Sequence, residues 1–195
     1  MKFILIRHGE TEWSAAGKHT SHTDLALTAH GRSQALSVRA GVLASIGHRI
    51  DTTVWSSPLL RARQTAEIVF DTGEFGLDER LREFDYGTYE GLTTPEIKAL
   101  VPGWTLWDGC PGGESMADVA HRVDSFLGDA RAGDTHVTVV FAHGHLLRIF
   151  AARVLGQPGS FGRHLALDTG SLSEIDDLRD GPAITRWNDV PRVAS

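Results

Sequence analysis

The stretch "FILIRHGETEW", residues 3–13, decides the fold class because a run of apolar residues leads directly into charged side chains. The run predicts a β-strand over residues 2–7 that is buried on both faces, as in a parallel sheet covered by helices. Arg7 and His8 stand at its end, and Gly9 behind them allows a close approach of the backbone. A guanidinium and an imidazole in this position indicate a polar site at one edge of a sheet.

Strand and helix patterns alternate along the rest of the chain. Further strands are predicted over 52–57, 136–142, 164–175 and 183–188. Helices are predicted over 28–47 with Thr28 as N-cap, from Ser57 onward with Pro58 in the first turn, over 115–131 and over 144–156. The alternation predicts an α/β fold, in a three-layer α/β/α arrangement with a mainly parallel central sheet.

The length of 195 residues suits one domain, which we expect to span residues 1–195. Residues 84–113 interrupt the alternation with proline and glycine clusters and with Trp104 and Trp107. We interpret this segment as a short cap excursion over the active-site edge of the sheet, and not as a second domain.

Composition excludes some classes of function. The net charge of −6 argues against broad nucleic-acid binding, which needs a basic face. The single cysteine, Cys110, cannot form a disulfide within the chain, and no stretch approaches the ~18 apolar residues of a membrane-spanning helix. The first apolar run is too short for a signal peptide and is broken by Arg7. We therefore expect a cytoplasmic protein with no membrane partner.

Three predicted strands end in similar chemistry. The first ends in Arg7 and His8, the second leads into a helix carrying Arg61, and the third ends in His143 and Gly144. If these strands are parallel neighbours, their ends meet at one edge, where the cations repel each other unless an anion lies among them. Because the arginine fork matches phosphate or carboxylate, a phosphoryl group is the expected guest.

A histidine in such a site can act as the nucleophile. A neutral imidazole attacks phosphorus to form a phosphohistidine, while the remaining positive charges stabilise the phosphoryl oxygens. The alcohol leaving group then needs a proton from a carboxylic acid. The segment "LREFDYGTYEG", residues 81–91, offers Glu83, Asp85 and Glu90, and the residues alone do not choose among them.

These segments together resemble the histidine phosphatase superfamily, which has the phosphoglycerate-mutase-like fold. The matching motifs are "RHGET" (7–11), "SSPLLRARQTA" (56–66), "LREFDYGTYEG" (81–91), "PGGES" (111–115) and "FAHGH" (141–145). They occur in the family's order and span almost the whole chain, so their specificity together far exceeds that of any single motif.

The resemblance implies a role for each matched residue. His8 would be the phosphorylated nucleophile, and Glu83 would be the acid for the leaving group and then the base for water. The phosphoryl group would be held by Arg7, Arg61 and His143. Further substrate or phosphate contacts would come from Ser14, Thr20, Ser21 and Gly144. No metal and no other cofactor is expected.

Two features favour the family's small phosphatases over its mutases. The mutases commonly have Asn where this chain has Ser14, and they carry a longer insertion than the 60 residues (143 − 83) between Glu83 and His143. The segments around 17–28 and 109–115 also resemble a subgroup of small acid and sugar-phosphate phosphatases, including those that act on sedoheptulose bisphosphate.

We therefore expect a metal-independent phosphomonoesterase that hydrolyses a small phosphorylated metabolite, such as a sugar phosphate. The alternatives are a 2,3-bisphosphoglycerate-dependent phosphoglycerate mutase and a non-catalytic protein that binds a phosphorylated ligand. The expected partner is a small phosphorylated substrate, with no nucleic acid, and a homodimer is left open. His19 and His22 are placed either at the substrate mouth or on a solvated loop, and residues 169–171 could contribute a hydroxyl or an N–H to the site.

Overall fold

The computed structural model describes residues 1–48 and 51–191, so that positions 49–50 and 192–195 of the predicted domain lie outside it. The strands are β1 (Lys2–Arg7), β2 (Thr52–Ser56), β3 (Gly76–Leu77), β4 (Val137–Ala142), β5 (Leu172–Leu178) and β6 (Gly181–Asp189). The helices are α1 (Glu12–Ala15), α2 (Ala29–Ile46), α3 (Leu60–Phe70), α4 (Thr94–Leu100), α5 (Met116–Ala132) and α6 (Gly144–Val154).

One sheet, in the order β3-β2-β4-β1-β5-β6, carries the fold. The first four of these strands are parallel, and β5 and β6 join antiparallel to β1 and to each other. Arg7 pairs with Ala142 and Ser56 with Phe141, so β1, β2 and β4 end at the same level. The predicted fold class, with a mainly parallel central sheet, is confirmed.

Strand β1 supplies both faces of the sheet with core residues. Phe3 and Leu5 belong to a core cluster that also contains the buried faces of α5 and α6. Ile4 and Ile6 belong to a second cluster, with the buried residues of α2 and α3. Because successive side chains of a strand point to opposite faces, this alternation places one helical layer on each side of the sheet.

Two predicted element boundaries are wrong. The third helix begins at Leu60, not at Ser57, because the N–H of Ser57 still donates to Phe141 O at 2.9 Å and continues the pairing of β2 with β4. The predicted strand over 164–175 begins only at Leu172. Before it, Gly170 adopts a φ of 69° and makes a turn that glycine tolerates, which ends any extended conformation there.

The segment 84–113 holds α4 and two short 3₁₀ turns, Gly87–Tyr89 and Leu106–Asp108. Thr93 and Glu96 form a capping box at the start of α4, which explains why a short helix forms there. Ile97 and Trp104 are buried in the cluster that also contains β1 and α5, so the segment shares that core.

Candidate active site

The carboxyl ends of β1, β2 and β4 open into a cavity of about 170 Å³. The backbone at this edge is fixed by hydrogen bonds: His8 N donates to Ala142 O at 3.0 Å, and Gly170 N donates to His8 O at 3.0 Å. Seven of the predicted site residues line the cavity: Arg7, His8, Ser14, Thr20, Arg61, Glu83 and Gly144. His8 and Arg61, which are 53 positions apart in sequence, therefore share one site.

The His8 ring is buried and its tautomer is defined by its neighbour. Nδ1 lies 2.7 Å from the Gly9 carbonyl oxygen, which can only accept, so Nδ1 carries the proton and Nε2 carries the free lone pair. Burial first, and then the charges of Arg61 and Arg7, hold the His8 pKa well below its ordinary value of 6.5. His8 is therefore a neutral imidazole with an unprotonated Nε2 at neutral pH.

Arg7 presents a buried donor without a partner. One of its terminal nitrogens donates to Leu167 O at 2.5 Å, whereas Nε is buried and has no hydrogen-bond partner among the described residues. Its pKa is lowered by burial, although a guanidinium keeps its charge at neutral pH. An unmet buried donor on a cation is costly, and an anion in the cavity would satisfy it.

Arg61 is almost completely buried and is held by four contacts. Nη1 donates to Thr23 O at 3.1 Å, and Nη2 donates to Thr20 O at 3.1 Å and to Ser21 O at 3.4 Å. Its Nε donates to Nδ1 of His143 at 3.2 Å. The loop that precedes α2 and the start of α6 therefore both fix the orientation of this guanidinium.

His143 stands behind the cavity and does not line it. Its ring centroid lies 5.2 Å from that of His8, and the ring is fully buried. Nδ1 accepts from Arg61, so Nε2 carries the proton and donates to Ser57 Oγ at 2.8 Å. Both ring nitrogens are engaged within the chain, so the ring supports Arg61, and the direct contact of His143 with a phosphoryl group stays a prediction.

Glu83 is the carboxylate of the three candidates that reaches the cavity. Oε1 accepts from Leu146 N at 2.8 Å and Oε2 from His145 N at 3.1 Å, which places the side chain at the N-terminus of α6. Asp85 instead accepts from Gly87 N at 2.9 Å and does not line the cavity. Residue type alone could not identify the acid, because what distinguishes the three carboxylates is which of them lies beside the N-terminus of α6.

Glu90, the third candidate, braces the loop before α2. Its Oε2 accepts from Ser21 N at 2.7 Å and from the Ser21 hydroxyl, and its Oε1 accepts from Thr23 N at 3.0 Å. The side chain of Ser21 is therefore buried and does not line the cavity, and its role as a substrate contact stays a prediction. Ser21 contributes its carbonyl to Arg61 instead.

The other predicted contacts line the cavity in different ways. The Ser14 hydroxyl donates to Thr11 O at 3.0 Å and accepts from Thr11 N at 2.8 Å, so its proton is committed to the cap of α1. Thr20 Oγ1 donates to Lys18 O at 3.2 Å. Gly144 leaves room for Arg7, since a Cβ there would lie 3.2 Å from Arg7 Cζ.

Sequence reasoning missed the groups that brace Glu83. Arg122 Nη1 donates to Arg82 O at 2.7 Å and its Nη2 to Glu83 O at 3.2 Å. Arg122 also pairs with Glu114, whose Oε2 accepts from Asp85 N at 2.9 Å. Glu114 belongs to the motif "PGGES", so this motif was the feature of the sequence that could have pointed to the support of Glu83.

Further cavity residues also escaped prediction. Tyr86, His145, Lys18 and Arg148 line the cavity, as does His19, one of the two histidines left open between the mouth and the loop. His22 is exposed and pairs with Asp85 at 3.1 Å. The tyrosine and His145 are joined by a 2.6 Å hydrogen bond between Tyr86 Oη and His145 Nδ1.

The remaining expectations concern metals, membranes and residues 169–171. In the described residues, no group of three or more His, Cys, Asp and Glu side chains is arranged to hold a metal ion. No helix within the described ranges is both long and apolar enough to cross a membrane. Gly170 contributes its N–H to the backbone of Arg7 and His8 and does not line the cavity.

Comparison with known proteins agrees with this geometry. The family model of the histidine phosphatase superfamily (branch 1) matches residues 3–190. An acid phosphatase from Mycobacterium tuberculosis is 40% identical over 173 residues, covering 88% of this chain and 84% of that protein. The solved structure of an open reading frame product from M. tuberculosis, 34% identical, has a TM-score of 0.89 and covers 97% of both chains.

Two further relatives carry different activities in their names. A sedoheptulose 1,7-bisphosphatase from Saccharomyces cerevisiae is 36% identical over 180 residues, covering 76% of this chain and 65% of that protein. A "Probable phosphoglycerate mutase" from Erwinia tasmaniensis is 33% identical over 202 residues, covering 96% and 90%. The chain therefore belongs to the histidine phosphatase superfamily, branch 1, and its phosphatase relatives put it among the phosphoric monoester hydrolases.

Proposed function

We propose that the protein hydrolyses a small phosphomonoester in two displacements at phosphorus, through a phosphohistidine at His8 and without a metal ion. The observation that carries the proposal is a neutral imidazole with a free Nε2, in one cavity with the half-buried guanidinium of Arg7 and the buried guanidinium of Arg61. Neither arginine forms an ion pair with a carboxylate of the described chain. Together they would supply the charge that a phosphoryl group needs.

In the first displacement, the Nε2 lone pair of His8 forms a bond to phosphorus as the ester P–O bond breaks. The departing alcohol oxygen takes a proton from the Glu83 carboxylic acid. Arg7 Nε, which lacks a partner among the described residues, would donate to a phosphoryl oxygen. The lining of the cavity and the unmet donor of Arg7 support these roles.

In the second displacement, a water oxygen forms a bond to phosphorus as the P–N bond breaks. The proton of that water passes to the Glu83 carboxylate, which restores the acid for the next cycle. The products are an alcohol and inorganic phosphate, and His8 returns to its neutral form. A cavity of about 170 Å³ suits a small metabolite, and the named sedoheptulose bisphosphatase relative supports a sugar phosphate.

The test is hydrolysis of a panel of small phosphomonoesters in EDTA by the wild type and by His8→Ala. The matched control is His30→Ala, which removes an exposed imidazole on α2. We expect turnover that survives EDTA, disappears in His8→Ala and persists in His30→Ala. Turnover that is lost in EDTA, or retained by His8→Ala, would overturn the proposal.

The mutase alternative is favoured by the relative named as a phosphoglycerate mutase. A mutase would return the phosphoryl group from His8 to the substrate instead of passing it to water. Interconversion of 2- and 3-phosphoglycerate that depends on a bisphosphate primer, with little release of phosphate, would support it. The binding-protein alternative predicts tight phosphate binding without turnover of any ester.

A further inference from the structure

The cavity holds more positive charge than one phosphoryl group needs. Besides Arg7 and Arg61, the basic side chains of Lys18 and Arg148 line it, whereas Glu83 is the acidic residue in the lining. Neither Lys18 nor Arg148 lies within 4.0 Å of a carboxylate oxygen in the described part of the chain. Charges of one sign gathered in one cavity repel each other and therefore favour the binding of an anionic ligand.

Arg148 lies on α6, and contacts with neighbouring residues hold its side chain in position. Its guanidinium stacks at 5.0 Å from the Trp107 ring, and its Nε donates to Gly162 O at 3.0 Å. Nη2 donates to Arg163 O at 3.4 Å, while Nη1 has no acceptor among the described residues. Burial lowers its pKa, which reflects the cost of keeping this charge away from water. A free, oriented guanidinium edge of this kind matches a carboxylate or phosphate.

Lys18 comes from a different element, the loop after α1. Its Nζ lies 5.3 Å from the Trp13 ring, and the backbone of Lys18 forms a bridge with Thr93 at the start of α4. The pKa of Glu96 is lowered first by hydrogen bonds from Thr93 and only last by Lys18, so this carboxylate is already engaged. Lys18 is thus a second cation without a close counter-ion.

Two imidazoles, those of His19 and His145, lie in the same lining. The rings of His19 and His145 are 6.0 Å apart. The hydroxyl of Tyr86 lies 2.6 Å from His145 Nδ1, and donation from the phenol leaves the N–H of His145 at Nε2. These groups do not take part in the two displacements at phosphorus, so the chemistry proposed above leaves them unexplained.

We infer that Lys18 and Arg148 form a second anion subsite, so that the substrate carries a carboxylate or a second phosphate besides the phosphoryl group that is transferred. The inference rests on the proposed function, because it assigns Arg7 and Arg61 to the transferred group. Because all four cations line one cavity of about 170 Å³, both anionic groups would belong to one small molecule.

The test is the binding of matched three-carbon ligands to the His8→Ala protein, measured by calorimetry. Glycerol 3-phosphate has one anionic group, 3-phosphoglycerate adds a carboxylate, and glycerol 1,3-bisphosphate adds a phosphate. We expect at least one of the two doubly anionic ligands to bind about tenfold or more tightly than glycerol 3-phosphate. The doubly anionic ligand with the larger increase in affinity identifies the second group as a carboxylate or a phosphate.

The subsite is checked by Lys18→Met in the same background, because this half-exposed side chain can change without disturbing the core. We expect this substitution to reduce the preference about tenfold, whereas Lys98→Met, on an exposed position of α4, leaves it unchanged. Equal binding of all three ligands, no binding of any, or a preference that survives Lys18→Met would overturn the inference. Failure of the proposed function is seen separately, as a wild type that hydrolyses no phosphomonoester.

Discussion

The Nε–H of Arg61 donates to Nδ1 of His143 at 3.2 Å, so the guanidinium in the cavity is held by an imidazole behind it. His143 can accept this bond only while it is neutral, with its proton on Nε2 and directed to Ser57 Oγ. Burial first, and then the charge of Arg61, hold the His143 pKa well below 6.5, in agreement with that state.

Removal of the His143 ring should therefore act through Arg61. We expect His143→Ala to lower kcat/KM about 100-fold, because Arg61 loses a fixed orientation. His143→Asn places an amide oxygen near the position of Nδ1 and should recover part of the loss. Steady-state kinetics of both variants are the measurement, and equal losses in the two variants would argue against a positioning role.

Replacement of Glu83 should affect esters according to their leaving group. We expect Glu83→Gln to slow the first displacement on an alkyl phosphate about 100-fold or more, because the alcohol leaves without a proton. With p-nitrophenyl phosphate the first displacement should persist, since the nitrophenolate needs no acid. The missing base then slows the second displacement, and a burst of nitrophenol should appear.

Asp85→Asn is the matched control for this experiment, because Asp85 is the neighbouring carboxylate and bonds Gly87 N outside the cavity. It should show no burst and a far smaller loss on alkyl phosphates. A burst in Asp85→Asn, or an equal loss in the rate of the first displacement on both kinds of ester in Glu83→Gln, would contradict the assignment of the acid.

Sequence patterns predict the fold well because the strands are nearly continuous apolar runs. Val137–Ala142 is buried along its whole length, and it ends in His143 as the pattern indicates. The start of α3 is predicted wrongly, because the Ser57 and Pro58 signature of a helix start competes with a strand that continues through the Ser57 N–H. Such competition between local and tertiary hydrogen bonds is not visible in the sequence.

The same limit applies to the site. The motifs bring His8, Arg61 and Glu83 to one edge, but the roles of residues near them depend on partners from distant segments. Ser21 is hydrogen-bonded to Glu90, 69 positions later, and the ring nitrogens of His143 are hydrogen-bonded to Arg61 and Ser57. Lys18 and Arg148 carry no motif that would place them in one lining.

The glycine after His8 should make a large contribution to stability. A Cβ at Gly9 would lie 2.2 Å from Gly31 O, an impossible contact with backbone at the start of α2. We expect Gly9→Ala to lower the free energy of unfolding by about 3 kcal/mol or more. Gly128→Ala is the control, since Gly128 lies inside α5 with open space around it, and it should stabilise slightly. Urea unfolding measures both, and equal effects would contradict this packing.

The buried imidazoles should make stability depend on pH. The pKa values of His8, His143 and His145 are all held well below 6.5, first by burial. As the pH falls below 6.5, these imidazoles therefore bind protons in the unfolded chain but not in the folded chain. The free energy of unfolding decreases as a result. Each such imidazole contributes up to about 1.4 kcal/mol per pH unit.

Urea unfolding between about pH 6.5 and pH 5 measures this slope, above the range in which ordinary carboxyl groups titrate. His143→Asn should reduce the slope by close to the contribution of one proton, which is about 1.4 kcal/mol per pH unit. An unchanged slope in that variant would contradict a neutral, buried His143 in the folded protein.

The central claim is that the phosphoryl group is carried on His8. The most direct measurement is mass spectrometry of the Glu83→Gln protein after brief reaction with p-nitrophenyl phosphate in EDTA and a quench that preserves phosphohistidine. We predict a phosphorylated peptide containing His8, which is absent when His8→Ala is added to the same protein. Phosphate found on another residue, or a nitrophenol burst with no phosphorylated His8, would contradict the account.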